Sequence, residues 1–114
     1  MAKFMVLYNA DVKTRDLMAK ASPEEMKASM GEWTAWRDEA SKTFKVEFGL
    51  PMQAVANVSS ESSGPSDSPV SGYSTFEGPS KDELVELLKS HPQLKRPGAS
   101  IDVLEFLSMP GLDA

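Results

Sequence analysis

The stretch "LLKSHPQLKRPGASIDVLEF", residues 87–106, contains the single histidine of the chain, His91. Histidine is the side chain best matched to proton transfer near neutral pH, and a carboxylate on one ring nitrogen would orient it and raise its basicity. Asp102, Glu105 and Glu77 are the candidate carboxylate partners, with His91 and Asp102 the candidate catalytic pair. Tyr8 and Tyr73 could line an adjoining pocket with their hydroxyls, alongside Glu77 and Glu105 as candidate ligand-binding groups; strand tyrosines also serve as core or interface residues. A second reading of His91 is structural, because a histidine at a helix C-terminus can bond a free carbonyl and its cation suits the negative end of the helix dipole.

Other chemistries are excluded or weakened. The chain has no cysteine, hence no disulfide, no thiolate nucleophile and no Cys-ligated metal centre. One histidine cannot build a His-rich metal site, and "SESSGPSDS" matches a carboxylate loop for calcium poorly, so no metal is expected. Gly-rich phosphate loops and the G-x-S-x-G elbow are missing, and no dissociable cofactor is expected. The net charge is −5, which opposes a phosphate backbone, and Lys95-Arg96 beside Pro97-Gly98 reads as a solvated turn; no nucleic-acid partner is expected. No apolar run approaches the length that spans a bilayer, so neither a membrane partner nor a signal peptide is expected and the default location is cytoplasmic.

The elements that must position these groups can be read in order. A length of 114 residues with 40% apolar and 25% charged residues specifies one globular domain over residues 1–114. "KFMVLY" predicts a strand at about residues 3–8. Ser22-Pro23-Glu24-Glu25 predicts a helix start, and Met26, Met30, Trp33, Trp36, Ala40 and Phe44 follow at helical spacing as its core face, the tryptophans read as core over ligand platform. A second strand is expected near 53–59 in "QAVANVS", a mobile loop over "SSESSGPSDSP" at 59–69, and a third strand over 70–77 with Gly72 marking a bulge or close approach. Ser80 and Glu83 form the capping box of a second helix that Pro92 must stop near Ser90, leaving His91 on the Leu84, Leu87, Leu88 stripe and leaning toward the sheet. "SIDVLEFLSM", 100–109, is the fourth strand, with Ile101, Val103 and Leu107 on one face and Leu104 and Phe106 on the other.

The order βαββαβ predicts an α+β, ferredoxin-like sandwich with a four-stranded antiparallel sheet and both helices on one face. Strands one and four are apolar on both sides, so the second face also calls for burial. A second copy of the same sheet is the economical cover, giving a homodimer with a barrel-like interior.

"GYSTFE" at 72–77, "SKDELVELLKSHPQL" at 80–94 and "IDVLEFLSMPG" at 101–111, after an N-terminal "KFMVLY" and "SPEEM", resemble the YCII-related proteins, a family of small dimeric α+β barrels. The resemblance implies the ferredoxin-like dimer and a cleft between sheet and helices where members are suspected of enzymatic activity on small molecules. The Asp-Gly-Pro-Phe segment that marks one subgroup before the third strand is replaced here by "SDSPVSG". Two functions follow as expectations. One is a small-molecule enzyme of lyase or isomerase type using His91 for proton transfer. The other is a non-catalytic metabolite-binding or protein-interaction module.

Overall fold

A computed structural model describes residues 2–11, 16 and 19–108. The expected strand at the start runs as β1 (Ala2–Asn9). Helix α1 (Pro23–Ala40) opens with a full capping box: the Ser22 hydroxyl accepts the Glu25 N–H at 3.1 Å, and the Glu25 carboxylate accepts the Ser22 N–H, with Pro23 supplying a preset first helical position. The helix stops at Ala40, earlier than the apolar spacing suggested. The Ser41 hydroxyl bonds the Arg37 carbonyl at 2.7 Å, so Phe44 enters the core from the turn that follows the helix.

The second sheet strand is β2 (Lys45–Phe48), and this corrects the expectation of a strand at 53–59. "KVEF" alternates a β-branched and an aromatic residue against charges, and Val46 and Phe48 turn inward, whereas the small apolar residues of 53–59 offer the core little to bury. Only Asn57–Val58 of that stretch is extended, as β3, and it pairs with β4 (Ser63–Gly64) in a separate two-stranded hairpin. Ser59 and Ser62 close its turn through mutual hydrogen bonds. The segment expected as a loop is therefore partly a hairpin.

Strand β5 (Val70–Gly78) matches expectation. Its register against β1 skips Ser71 between Gly72 and Val70, the bulge that Gly72 signalled, and the Ser71 hydroxyl donates to the Tyr8 carbonyl at 3.1 Å. Helix α2 (Lys81–Leu88) is capped by Ser80, whose hydroxyl accepts the Glu83 N–H. A 3-10 turn (Pro92–Lys95) follows, then β6 (Ser100–Glu105).

The four long strands form one antiparallel sheet in the order β2-β5-β1-β6. Phe4, Val6, Tyr8 and Phe76 project from one face and pack with Trp36 and Ala40 of α1 and Leu84 and Leu88 of α2, so both helices cover the same face. Register places Met5, Leu7, Tyr73 and Leu104 on the opposite, outer face. Two apolar assignments change. Met26 and Met30 are exposed at the N-terminal end of the α1 stripe, and Leu107, expected beside Ile101 and Val103, lies beyond the end of β6 and is 78% exposed.

Two glycines give opposite expectations. A Cβ at Gly78, which is buried in β5, would run into the Phe44 ring, while one at Gly31 in α1 meets open space. Gly78→Ala should lower the urea-unfolding free energy by about 1–3 kcal/mol through overpacking. Gly31→Ala should raise it by about 0.5–1 kcal/mol through helix propensity. Equal and small effects would mean that Phe44 does not pack against Gly78.

Candidate functional site

Pro92 forces the residue before it out of the helical region, and His91 is extended, with φ −66° and ψ 136°. The chain therefore turns at His91, whose N–H still bonds the Leu88 carbonyl at 3.0 Å. The imidazole swings inward and is 1% exposed. Its Nδ1 accepts the backbone N–H of Gln93 at 2.9 Å, so His91 is the N-cap of the 3-10 turn. A neutral ring with Nδ1 as acceptor carries its proton on Nε2, and Nε2 is buried without a hydrogen-bond partner.

Three aromatic rings surround the imidazole. Trp36 stands 4.4 Å from it between centroids, Trp33 4.5 Å and Tyr8 4.9 Å, the tryptophans in edge-to-face geometry. Each of these has its own tether. The Tyr8 hydroxyl donates to Ser74 Oγ at 2.9 Å, the Trp36 indole N–H donates to Ser90 Oγ at 3.2 Å, and Trp33 packs edge-on against Phe48 of β2. Burial without a counter-charge pushes the His91 pKa down to about 4, and burial pushes the Tyr8 phenol up to about 12 despite the Ser74 hydrogen bond. Both groups are neutral across the physiological range.

The carboxylates named in the sequence lie elsewhere. Asp102 pairs in register with Leu7, on the outer face, while His91 packs on Tyr8 on the helix-covered face; the sheet separates them. Asp102 instead accepts from Asn9 Nδ2 at 2.8 Å, a nitrogen that also reaches Ser100 Oγ. Glu77 sits opposite Lys3 and Lys45 on the outer face. Glu105 is level with Phe4, about 13 Å along β1 from Tyr8 at the usual strand rise. Tyr73 projects outward, its ring covering Gly49. Of the candidates, only Tyr8 meets His91.

Residues that sequence reasoning did not single out complete the cluster. Gln93 supplies the N–H that holds Nδ1, and its side-chain amide donates to the Asn9 carbonyl at 3.1 Å. Asn9 thus binds the 3-10 turn through its backbone and β6 through its side chain, leaving its own Oδ1 buried and unpartnered. The tryptophan spacing on α1 was the visible signal for the ring cluster; nothing in "HPQ" announces Gln93.

Two concavities of the described surface lie away from His91. A groove of about 540 Å³ runs between the turn after α1 and α2, with Phe44 and Leu87 as floor and Asp82, Glu83 and Glu86 among its walls. A recess of about 40 Å³ on the outer face is bordered by Lys3, Lys45, Glu47 and Glu77. Among the described residues, no group of three or more His, Cys, Asp or Glu is placed to hold a metal ion, and no helix is long and apolar enough to cross a membrane. No protein-family model matches the chain, and no curated protein sequence matches it significantly.

The buried imidazole makes stability pH-dependent with a defined sign. The unfolded chain binds a proton at the ordinary value of 6.5 and the folded protein only near 4, so the unfolded state gains protons first on acidification. The contribution is fully present above pH 6.5 and is lost as pH falls through about 4, amounting to roughly 3 kcal/mol. His91→Asn, which keeps a capping acceptor, should unfold at lower denaturant but show a flatter stability profile between pH 6.5 and 4. Parallel profiles for the two proteins would show that His91 is not buried as a neutral ring.

Proposed function

We propose that this chain is a non-catalytic binding and interaction module, a ferredoxin-like domain related to the YCII-related proteins that acts as a homodimer through the outer face of its sheet. The observation that carries the non-catalytic reading is the state of His91: sealed under three aromatic rings, with Nδ1 committed to a backbone N–H. A general base needs reach to its substrate and a pKa near the working pH. His91 has neither, and its expected partner Asp102 is on the other side of the sheet.

The ferredoxin-like reading is supported by the all-antiparallel order β2-β5-β1-β6 with both helices on one face, and by the similarity of 72–77, 80–94 and 101–111 to YCII-related proteins. The dimer reading is supported by the outer face itself. Met5, Leu7, Tyr73 and Leu104 form an apolar area beside a row in which Lys3, Glu77 and Lys45 alternate in sign across three strands. An alternating row suits a two-fold interface, because an axis set between two neighbours of the row places each Glu77 opposite a lysine of the second copy. The small-molecule role left to such a module is binding in a cleft of the assembled dimer.

Light scattering at micromolar concentration should report twice the 12.4 kDa chain mass. Leu104→Asp should yield a folded monomer, since the side chain is half-exposed in the single chain and an unpaired charge in a closed interface costs several kcal/mol. A wild-type monomer, or a Leu104→Asp dimer as tight as wild type, overturns the dimer reading.

A further inference from the structure

Residues 50–64 leave the sheet and do not return to the core of their own chain. Gly49 and Met52 still bond β5 through their N–H groups to the Tyr73 and Ser71 carbonyls. Beyond them every residue from 55 to 65 is exposed, and among the described residues β3 and β4 pair only with each other. This arm is not polar throughout. Leu50 is 75%, Val55 80% and Val58 74% exposed, which in a solvated loop has no physical return. The molecule is correspondingly flat and extended, 45 × 43 × 21 Å, with a radius of gyration of 15.9 Å against about 13–14 Å for a compact domain of this length.

The arm departs from a specific place. Gly49 lies under the Tyr73 ring, and Tyr73 pairs in register with Leu7, so the arm starts at the apolar end of the outer sheet face. The footprint of that face is smaller than a standard dimer interface. Four strands at about 4.8 Å spacing and six residues at about 3.3 Å rise give roughly 400 Å² per copy, about half of the ~800 Å² per partner of a stable interface. The face has room for further contacts, and the arm carries apolar side chains that stand exposed on the single chain.

Resting on the dimer reading above, we infer that the 50–64 arm of each copy clasps the second copy along the rim of the outer face, with Val55 and Val58 as its contacts. The occupant is a second copy of this chain because arm and face adjoin at one end of the same sheet, so a two-fold axis through the face carries each arm to the partner's edge. Reciprocal clasping supplies the missing area twice over. It also accounts for a Ser-rich tip at 59–63: polar residues close the hairpin beyond the apolar contacts.

Sedimentation equilibrium across a dilution series tests this with the wild type, the double variant Val55→Asp/Val58→Asp, and Leu104→Asp. Both valines are solvent-exposed in the single chain, so the double variant should keep the wild-type circular dichroism and unfolding midpoint while its dimer dissociation constant rises on the order of a hundredfold. An unchanged constant in a dimeric wild type that Leu104→Asp dissociates overturns the arm and leaves the face. A monomeric wild type overturns both. A double variant that unfolds more readily than wild type shows that the arm packs on its own chain, and also overturns the inference.

Discussion

The imidazole of His91 is where the tertiary structure converges. It caps the 3-10 turn through the Gln93 N–H, follows α2 through its own N–H to Leu88, and touches α1 through Trp33 and Trp36 and β1 through Tyr8. Aromatic contacts of this kind contribute about 0.5–1.5 kcal/mol each beyond burial. The cap depends on the ring being uncharged. A protonated Nδ1 would point a donor at the Gln93 N–H, and among the described residues no carboxylate stands by to compensate. One neutral ring thereby joins both helices to the sheet and fixes the approach to β6.

This arrangement accepts two unsatisfied polar atoms, His91 Nε2 and Asn9 Oδ1, at a cost of about 1–3 kcal/mol each. The return is connectivity across the sheet. Asn9 receives the Gln93 side chain on its carbonyl and holds Asp102 and Ser100 with its amide, so the 3-10 turn and the edge strand β6 are tied to the same residue of β1. Asp102, the natural candidate to activate a histidine, serves to anchor an edge strand.

Much of this was legible in the residues, for reasons that are local. Ser22-Pro23-Glu24-Glu25 and Ser80-Lys81-Asp82-Glu83 announce helix starts through capping chemistry, Pro92 announces the turn at His91, and Gly72 announces the bulge beside Tyr8. What depended on partners distant in sequence was harder. β2 at Lys45–Phe48 follows α1 after only a short turn, and the alternation in its four residues is too short to mark a strand until Val46 meets Phe76. Met26 and Met30 hold the correct spacing, but that end of the α1 stripe is exposed. The separation of His91 from Asp102 was in fact encoded: side chains alternate along a strand, and Asp102 stands between Ile101 and Val103, which pack toward the core. A histidine leaning to the core face could not meet it.

His91 is a neutral, sealed, structural ring, and nitrogen-detected NMR of the imidazole tests this most directly. Since the chain has one histidine, its two ring nitrogens are read without overlap. An unprotonated Nδ1 and a protonated Nε2 are expected, with shifts constant from pH 8 down to 6. A ring that titrates near 6.5, or one protonated at Nδ1 and hydrogen-bonded to a carboxylate, would contradict it and return His91 to the role of a proton-transfer group.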